Sequence, residues 1–272
     1  MNNYQKKFSL KNKNIVIVGG TGLVGQEVCY ALSNLGANIS IFDIDKKKGK
    51  VLEKKITKSG YKAKFYFFDC TKKSNIKKSF QKIFKNKIFP DTLINCSYPR
   101  TKDWKNHNFK NISLNSYEKN ISIHLNSYIW LSKIFAESLK QKNIKGNIIH
   151  FGSIYGVLGQ DLSVYKNTEI KENLTYSVIK GAIVNYTRQM ASYYGRHNIR
   201  VNAICPGGVY GPVQGVSSKQ SKKFLTNYSK KVPLGRLANS SEIAAVVAFL
   251  ASPASSYING SILMVDGGWS AV

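Results

Sequence analysis

Tyr176 and Lys180, in Tyr-Ser-Val-Ile-Lys, form the pair in this chain best suited to moving a proton. Four residues apart on a helix, the two side chains share one face, a turn apart. A phenol beside an ammonium can act as a general acid and base. The positive charge favours the phenolate and is expected to lower a tyrosine pKa that is ordinarily about 10. The same spacing is common on helix surfaces, so it carries chemistry only when other functional groups converge on it. Ser153, closing the run Gly146-Asn-Ile-Ile-His-Phe-Gly-Ser153, is one candidate, since a strand delivers it at its carboxyl end.

A second constellation lies near the N-terminus. Ile15-Val-Ile-Val-Gly-Gly-Thr-Gly-Leu-Val-Gly25 reads as a buried strand running into a glycine loop, then a helix to about Leu35. Gly19, Gly22 and Gly25 are spaced G-x-x-G-x-x-G, which allows a tight turn and close approach of the backbone to a pyrophosphate. The helix that follows offers free N–H groups and the positive end of its dipole to phosphates. Asp43 closes the next strand, 24 residues after Gly19, about where a ribose-binding carboxylate is expected. The alternative for Asp43 is a loop cap with no ligand.

The elements that must hold these groups alternate along the whole chain. Strands are predicted at 15–18, 38–43, 64–69, 92–96, 146–153, 199–204 and 261–266. Helices are predicted near 46–58, 72–86, 116–142, 176–194 and 242–250, the last capped by Ser240 or Ser241. This pattern predicts one α/β domain over 1–272, a single-domain Rossmann fold. Its doubly wound, seven-stranded parallel sheet would carry helices on both faces. Ligands then bind at the carboxyl ends of the strands, where the glycine loop, Asp43, Asp69, Asn95, Ser153 and Pro206-Gly207 all fall.

Composition sets bounds. A chain of 272 residues, 43% hydrophobic, can bury a large core. No run approaches the roughly 18 apolar residues of a membrane span, and the first ten residues lack the apolar stretch of a signal peptide. Cys29, Cys70, Cys96 and Cys205 are scattered, with no metal-ligand spacing, and suit free thiols in a reducing cytoplasm. The net charge of +27 invites a nucleic-acid reading, yet only five of the 41 basic residues are arginine, the preferred residue for phosphate and base recognition. A lysine-rich solvated surface that draws in anionic small molecules fits better.

These motifs, in this order, resemble the short-chain dehydrogenase/reductase family over nearly the whole chain. The matching stretches are Gly19 to Gly25, Asp69-Cys70, Leu93-Ile-Asn-Cys-Ser97, Ser153, Tyr176 with Lys180, Arg200-Val-Asn-Ala-Ile-Cys-Pro-Gly-Gly208, and Asn259-Gly260 through Val265-Asp-Gly-Gly268. The resemblance implies hydride transfer between a carbinol or carbonyl and a nicotinamide cofactor. Tyr176 would be the proton donor or acceptor, Lys180 would hold the nicotinamide ribose, and Ser153 would bond the substrate oxygen. Gly19, Thr21, Gly22, Leu23, Val24 and Gly25 would cradle the pyrophosphate. Asp43 would take the ribose, favouring NAD over NADP. Asp69 and Cys70 would meet the adenine, and Asn95, Cys96 and Ser97 the adenosine side. Pro206, Gly207 and Val209 would shape the nicotinamide pocket. A dimer or tetramer is also implied.

Three departures stand out. The glycine spacing resembles a longer branch of the family, with Val18 in place of a threonine. His124 falls where the family has a relay asparagine, unless Asn126 fills that role; it could hold the same water or titrate near neutral pH. Ser153 and Tyr176 are 23 residues apart, wider than usual, so a substrate-loop insertion is expected near 159–173. A lid-like loop is expected near 207–228. Asn-Cys-Ser-Tyr-Pro-Arg100 and Ser153-Ile-Tyr-Gly-Val further resemble flagellin modification protein A-like surface-sugar oxidoreductases, a group associated with nonulosonic acid biosynthesis. That narrower resemblance implies a polar or anionic sugar substrate meeting Tyr98, Arg100, Tyr155 and Ser153. Two alternatives remain open at this level: a 3-oxoacyl-carrier-protein reductase, and a non-catalytic cofactor-binding protein.

Overall fold

The computed structural model describes residues 3–85, 87–212 and 220–272. In chain order its elements are α1 (Tyr4–Phe8), β1 (Asn14–Val18), α2 (Leu23–Asn34), β2 (Asn38–Asp43), α3 (Lys46–Lys58), β3 (Ala63–Phe67), α4 (Ile76–Phe84) and β4 (Thr92–Asn95). Then follow α5 (Leu114–Asn120), α6 (Asn126–Gln141), β5 (Gly146–Phe151), α7 (Leu174–Tyr194), β6 (Ile199–Pro206), α8 (Lys222–Ser229), α9 (Ser240–Ala251) and β7 (Ile262–Val265). The seven strands form one sheet in the order β3-β2-β1-β4-β5-β6-β7, every pair parallel. The order reverses at β1, which lies between β2 and β4, and this leaves a crevice at the carboxyl ends of the strands.

Strand periodicity sorts the core into two layers. Ile15 and Ile17 point to one face with Ile39 and Ile41, against α2, α3 and α9. Val16 and Val18 point to the other with Phe42, Leu93 and Ile148, against α4, α6 and α7. Each apolar strand is therefore covered on both sides, which is why these segments read as continuous Val/Ile runs. None of the described helices is long and apolar enough to cross a membrane.

Several local expectations change. The cap of α9 is Asn239, not Ser240 or Ser241: its side chain takes the N3 amide while Glu242 Oε2 accepts from the Asn239 amide at 2.8 Å. The long central helix is interrupted between α5 and α6 by a π-helical turn, Ile121–Leu125. The lid-like loop contains α8, and its residues 213–219 lie outside the described residues. The insertion near 159–173 holds a short 3-10 turn, Leu162–Tyr165, that packs on α8. Asn227 Nδ2 bonds the carbonyls of Val164 and Lys166, and the Tyr165 ring stacks on Phe224 at 6.3 Å. Trp269 folds back inside the chain, 4.7 Å from the Tyr228 ring.

Candidate active site

Built from its residues upward, the crevice begins at the glycine loop. Gly19 adopts φ +77°, a left-handed conformation that favours glycine, and a Cβ there would lie 2.8 Å from the backbone of Cys96 and Ser97. A Cβ on Gly25 would meet the Gly19 carbonyl. Gly22 is the N-cap of α2 and supplies no side-chain cap, so the first amides of that helix remain available to an anion. Two buried polar atoms nearby have no hydrogen-bond partner among the described residues: Thr21 Oγ1 and Asn95 Nδ2. A bare cradle with unsatisfied groups beside it fits a dinucleotide.

Beside it lies a cavity of about 400 Å³ lined by Gly19, Asp43, Asp69, Cys70, Ser97 and Arg100, among others. Asp43 is buried, and its two oxygens each accept a backbone amide, from Thr21 and Asp45, both at 3.0 Å. The carboxylate therefore also caps the glycine loop, while the residue lines the cavity and keeps lone pairs for further donors. The two readings of Asp43, ribose ligand and loop cap, are thus compatible. Asn95 Oδ1 accepts from the Ser97 amide at 3.1 Å and its hydroxyl at 2.6 Å. Tyr98 and Arg100, expected at the substrate, line this same cavity, with the Arg100 guanidinium 5.2 Å from the Tyr98 ring centroid. Val209 pairs with Ala238 in a single bridge just past β6.

The structure brings Ser153, Tyr176 and Lys180 together where β5 ends and α7 begins. Asn173 caps α7, its Oδ1 accepting the Tyr176 amide at 2.8 Å, which fixes Tyr176 in the first helical turn. The Asn-Leu-Thr-Tyr run carries the local signal of such a cap. Lys180 Nζ donates to the Phe151 carbonyl at 2.7 Å and lies 5.6 Å from the Tyr176 ring centroid. The expected lowering of the Tyr176 pKa is not found. Burial raises it, with the Ser153 side chain pulling the other way. Burial also draws Lys180 down to about 8. Desolvation is thus the largest influence on both groups.

His124 sits in the π turn, fully buried, and neither ring nitrogen has a partner among the described residues. Burial, then Lys180 and Arg100, push its pKa well below the ordinary histidine range, so the expected titration near neutral pH is corrected: the imidazole stays neutral. Its ring is 5.1 Å from Tyr98 and 5.8 Å from Tyr128, while Asn126 is only half-buried. Tyr155 stands 6.5 Å from Tyr176 ring to ring, and its hydroxyl is buried without a partner among the described residues.

Some supporting contacts are assembled only by the fold. Trp104 Nε1 donates to Tyr98 Oη at 3.1 Å. Behind it, His107 joins Thr175 Oγ1 at 2.7 Å and Ser116 Oγ at 2.9 Å, tying the loop after β4 to α5 and α7. Thr175 lies 68 positions from His107 in the chain, so no local pattern marks that pair. Gln160 of the insertion donates to the Asn173 carbonyl and Ser177 Oγ, both at 2.8 Å, bracing the start of α7.

Comparison with known proteins agrees with this geometry. A family model described as Enoyl-(Acyl carrier protein) reductase matches residues 22–270. Post-translational flagellin modification protein A of Campylobacter coli is 29% identical over 262 residues, covering 96% of this chain and 99% of its own length. A short chain dehydrogenase from Leptospira borgpetersenii, solved with bound NAD+, is 29% identical with a TM-score of 0.80, covering 99% of this chain and 96% of its own. A gluconate 5-dehydrogenase from Burkholderia cenocepacia, solved with NADP and tartrate, has the same fold at a TM-score of 0.87 and 21% identity, covering 99% of this chain and 100% of its own. With the parallel sheet, the glycine loop and the Ser153–Tyr176–Lys180 cluster in place, the chain belongs to the short-chain dehydrogenase/reductase family of oxidoreductases.

Proposed function

We propose that this protein is an NAD-dependent dehydrogenase acting on a hydroxyl or keto group of a polar or anionic sugar, of the kind assembled into bacterial surface glycans such as the nonulosonic acids. The observation that carries the reading is the convergence of Ser153, Tyr176 and Lys180 at the crevice beside a bare glycine cradle. The likeness to a flagellin modification protein supports the sugar, as do the polar and aromatic groups of Tyr98, Trp104 and Arg100 at the mouth.

The glycine loop and the first amides of α2 would hold the pyrophosphate, Asp43 the adenosine ribose, Asp69 and Cys70 the adenine, and Pro206, Gly207 and Val209 the nicotinamide side. When bound, the nicotinamide supplies the hydride acceptor or donor. Tyr176 Oη takes the proton of the substrate hydroxyl on oxidation and returns it on reduction. Ser153 Oγ hydrogen-bonds the same substrate oxygen. Lys180 holds the nicotinamide ribose and, by its charge, favours the phenolate that buried Tyr176 otherwise disfavours. His124, neutral and unpartnered, accepts a hydrogen bond from a water that passes the proton onward. Tyr155 Oη bonds a second substrate hydroxyl, a reading supported by its buried, unpartnered oxygen among the described residues.

Cofactor choice follows from Asp43. A buried carboxylate repels the extra phosphate of NADP. Binding of NAD(H) is expected to be at least about 10-fold tighter than that of NADP(H), or about 1.4 kcal/mol. Titration of nicotinamide fluorescence checks this, and equal or tighter binding of NADPH would count against it. Assaying NAD+ reduction with a panel of phosphorylated and nucleotide-linked sugars tests the substrate class. Turnover restricted to simple alcohols or acyl thioesters would exclude the sugar.

A further inference from the structure

We propose that Tyr98 is a positioning residue for Lys180, its ring closing an aromatic cage that holds the ammonium opposite Tyr176. The inference rests on the reading of Lys180 as part of the active site. Lys180 Nζ lies 5.9 Å from the ring centroid of Tyr98, 5.4 Å from that of Tyr128 and 5.6 Å from that of Tyr176. An ammonium has three protons to donate, and among the described residues this one has a single acceptor, the Phe151 carbonyl. Lys180 is 3% exposed and forms no ion pair with a carboxylate among the described residues. A buried charge needs compensation. The negative faces of the three rings supply it at distances where cation–π attraction is effective.

Beyond the Phe151 carbonyl, the surroundings leave the rings as the main favourable partners. The titratable groups facing Lys180 are His124 in the π turn, Tyr128 on α6, His150 on β5, Cys205 on β6, Cys96 and Tyr98 after β4, and Tyr176 on its own helix. Both histidines are held neutral, His150 being pushed down to about 3 by burial, and burial raises the two thiols. Arg100, on the same loop as Tyr98, is a further positive charge near that ring.

The rings themselves are fixed. Tyr128 Oη donates to the Asn95 carbonyl at 2.9 Å and lies 3.1 Å from that of Ser97. Tyr98 is set edge-on to Tyr176 at 5.9 Å and to Trp104 at 5.8 Å, and receives the Trp104 indole proton. Of the three rings, Tyr98 alone sits on a loop that also lines the cavity beside the glycine cradle, so it links the occupancy of that cavity to the ammonium.

Carbon-13 labelling of lysine Cε in the intact protein, with the Lys180 signal assigned against Lys180→Arg, reports its titration without turnover. In Tyr98→Phe, which keeps the ring, the midpoint should match the wild type. In Tyr98→Leu it should move by about one pH unit towards acid, because the ammonium loses a cage wall. Trp104→Ala, which removes both the hydrogen bond and the edge-on ring that hold Tyr98, should give a smaller shift in the same direction and decides the matter if Tyr98→Leu fails to fold. An unchanged or raised midpoint in the folded leucine variant, or in Trp104→Ala alone, would overturn the cage. The shift supports the cage even if no sugar is turned over, so the titration and the sugar assay fail independently.

Discussion

Tyr176 and Lys180 show how burial reshapes a pair that spacing alone suggests. The sequence places them on one helix face, but only the fold shows that desolvation raises the tyrosine and lowers the lysine. Tyr176→Phe keeps the ring and removes the proton carrier. It should cut kcat by roughly 10²–10⁴ while leaving NAD(H) affinity nearly intact, as read by steady-state kinetics and fluorescence titration. The lysine carries a stability prediction. With its pKa lowered from 10.5 to about 8 in the folded chain, the unfolded state holds more protons between those values. The Lys180 contribution therefore becomes more favourable as pH rises through that window. Urea unfolding of wild type against Lys180→Met should show their difference shifting towards the wild type by on the order of 2–3 kcal/mol between pH 8 and 10.5. A constant difference would contradict the buried, unpaired ammonium. Ser153, Tyr176, Lys180 and Asp43 were legible because each carries a local signature, Asp43 and Ser153 at or just past strand ends and Tyr176 and Lys180 four residues apart in the first two turns of α7. His107 was not, because its partners Ser116 and Thr175 are brought to it only by folding.

At the scale of elements, the start of α7 is where function and stability meet. Asn173 caps the helix and orients its first turn, and Gln160 and Trp104 brace Asn173 in turn. Asn173→Ala should cost about 1 kcal/mol of stability and lower the melting temperature. It should also depress kcat more than NAD(H) binding, because the lost bond holds the Tyr176 amide. A variant with lowered stability and unchanged kcat would confine Asn173 to capping. Strands and their acidic or glycine ends were legible from Val/Ile runs alone. The α8 helix was not, since Lys222-Lys-Phe-Leu-Thr-Asn-Tyr-Ser has little apolar surface and is ordered by the insertion it packs on. The π turn escaped for a similar reason: its apolar spacing matches an ordinary helix, and the extra residue shows only in the backbone.

The whole molecule presents a lysine-rich exterior and one crevice equipped for chemistry. The outer faces of α6 and α7 expose Trp130, Val178 and Tyr193 at 42%, 42% and 53%. With the assembly implied by the family, we expect a dimer or tetramer, and light scattering at micromolar concentration that finds a monomer would contradict this. The charge should make association with anionic substrates fall with added salt. The fold class was legible at this scale because strand and helix alternate without interruption, and a parallel sheet with right-handed crossovers is nearly forced by that order. Substrate identity was not, since it depends on side chains from several loops that converge only in the folded chain. The most direct test of the account is a single comparison: NAD+ reduction by wild type and Tyr176→Phe, followed by nicotinamide absorbance, with the best sugar from the panel. The account predicts NADH formation by the wild type and a loss of roughly 10²-fold or more in the variant. Near-normal turnover by Tyr176→Phe, or no turnover of any sugar by a wild type that binds NAD+, would contradict it.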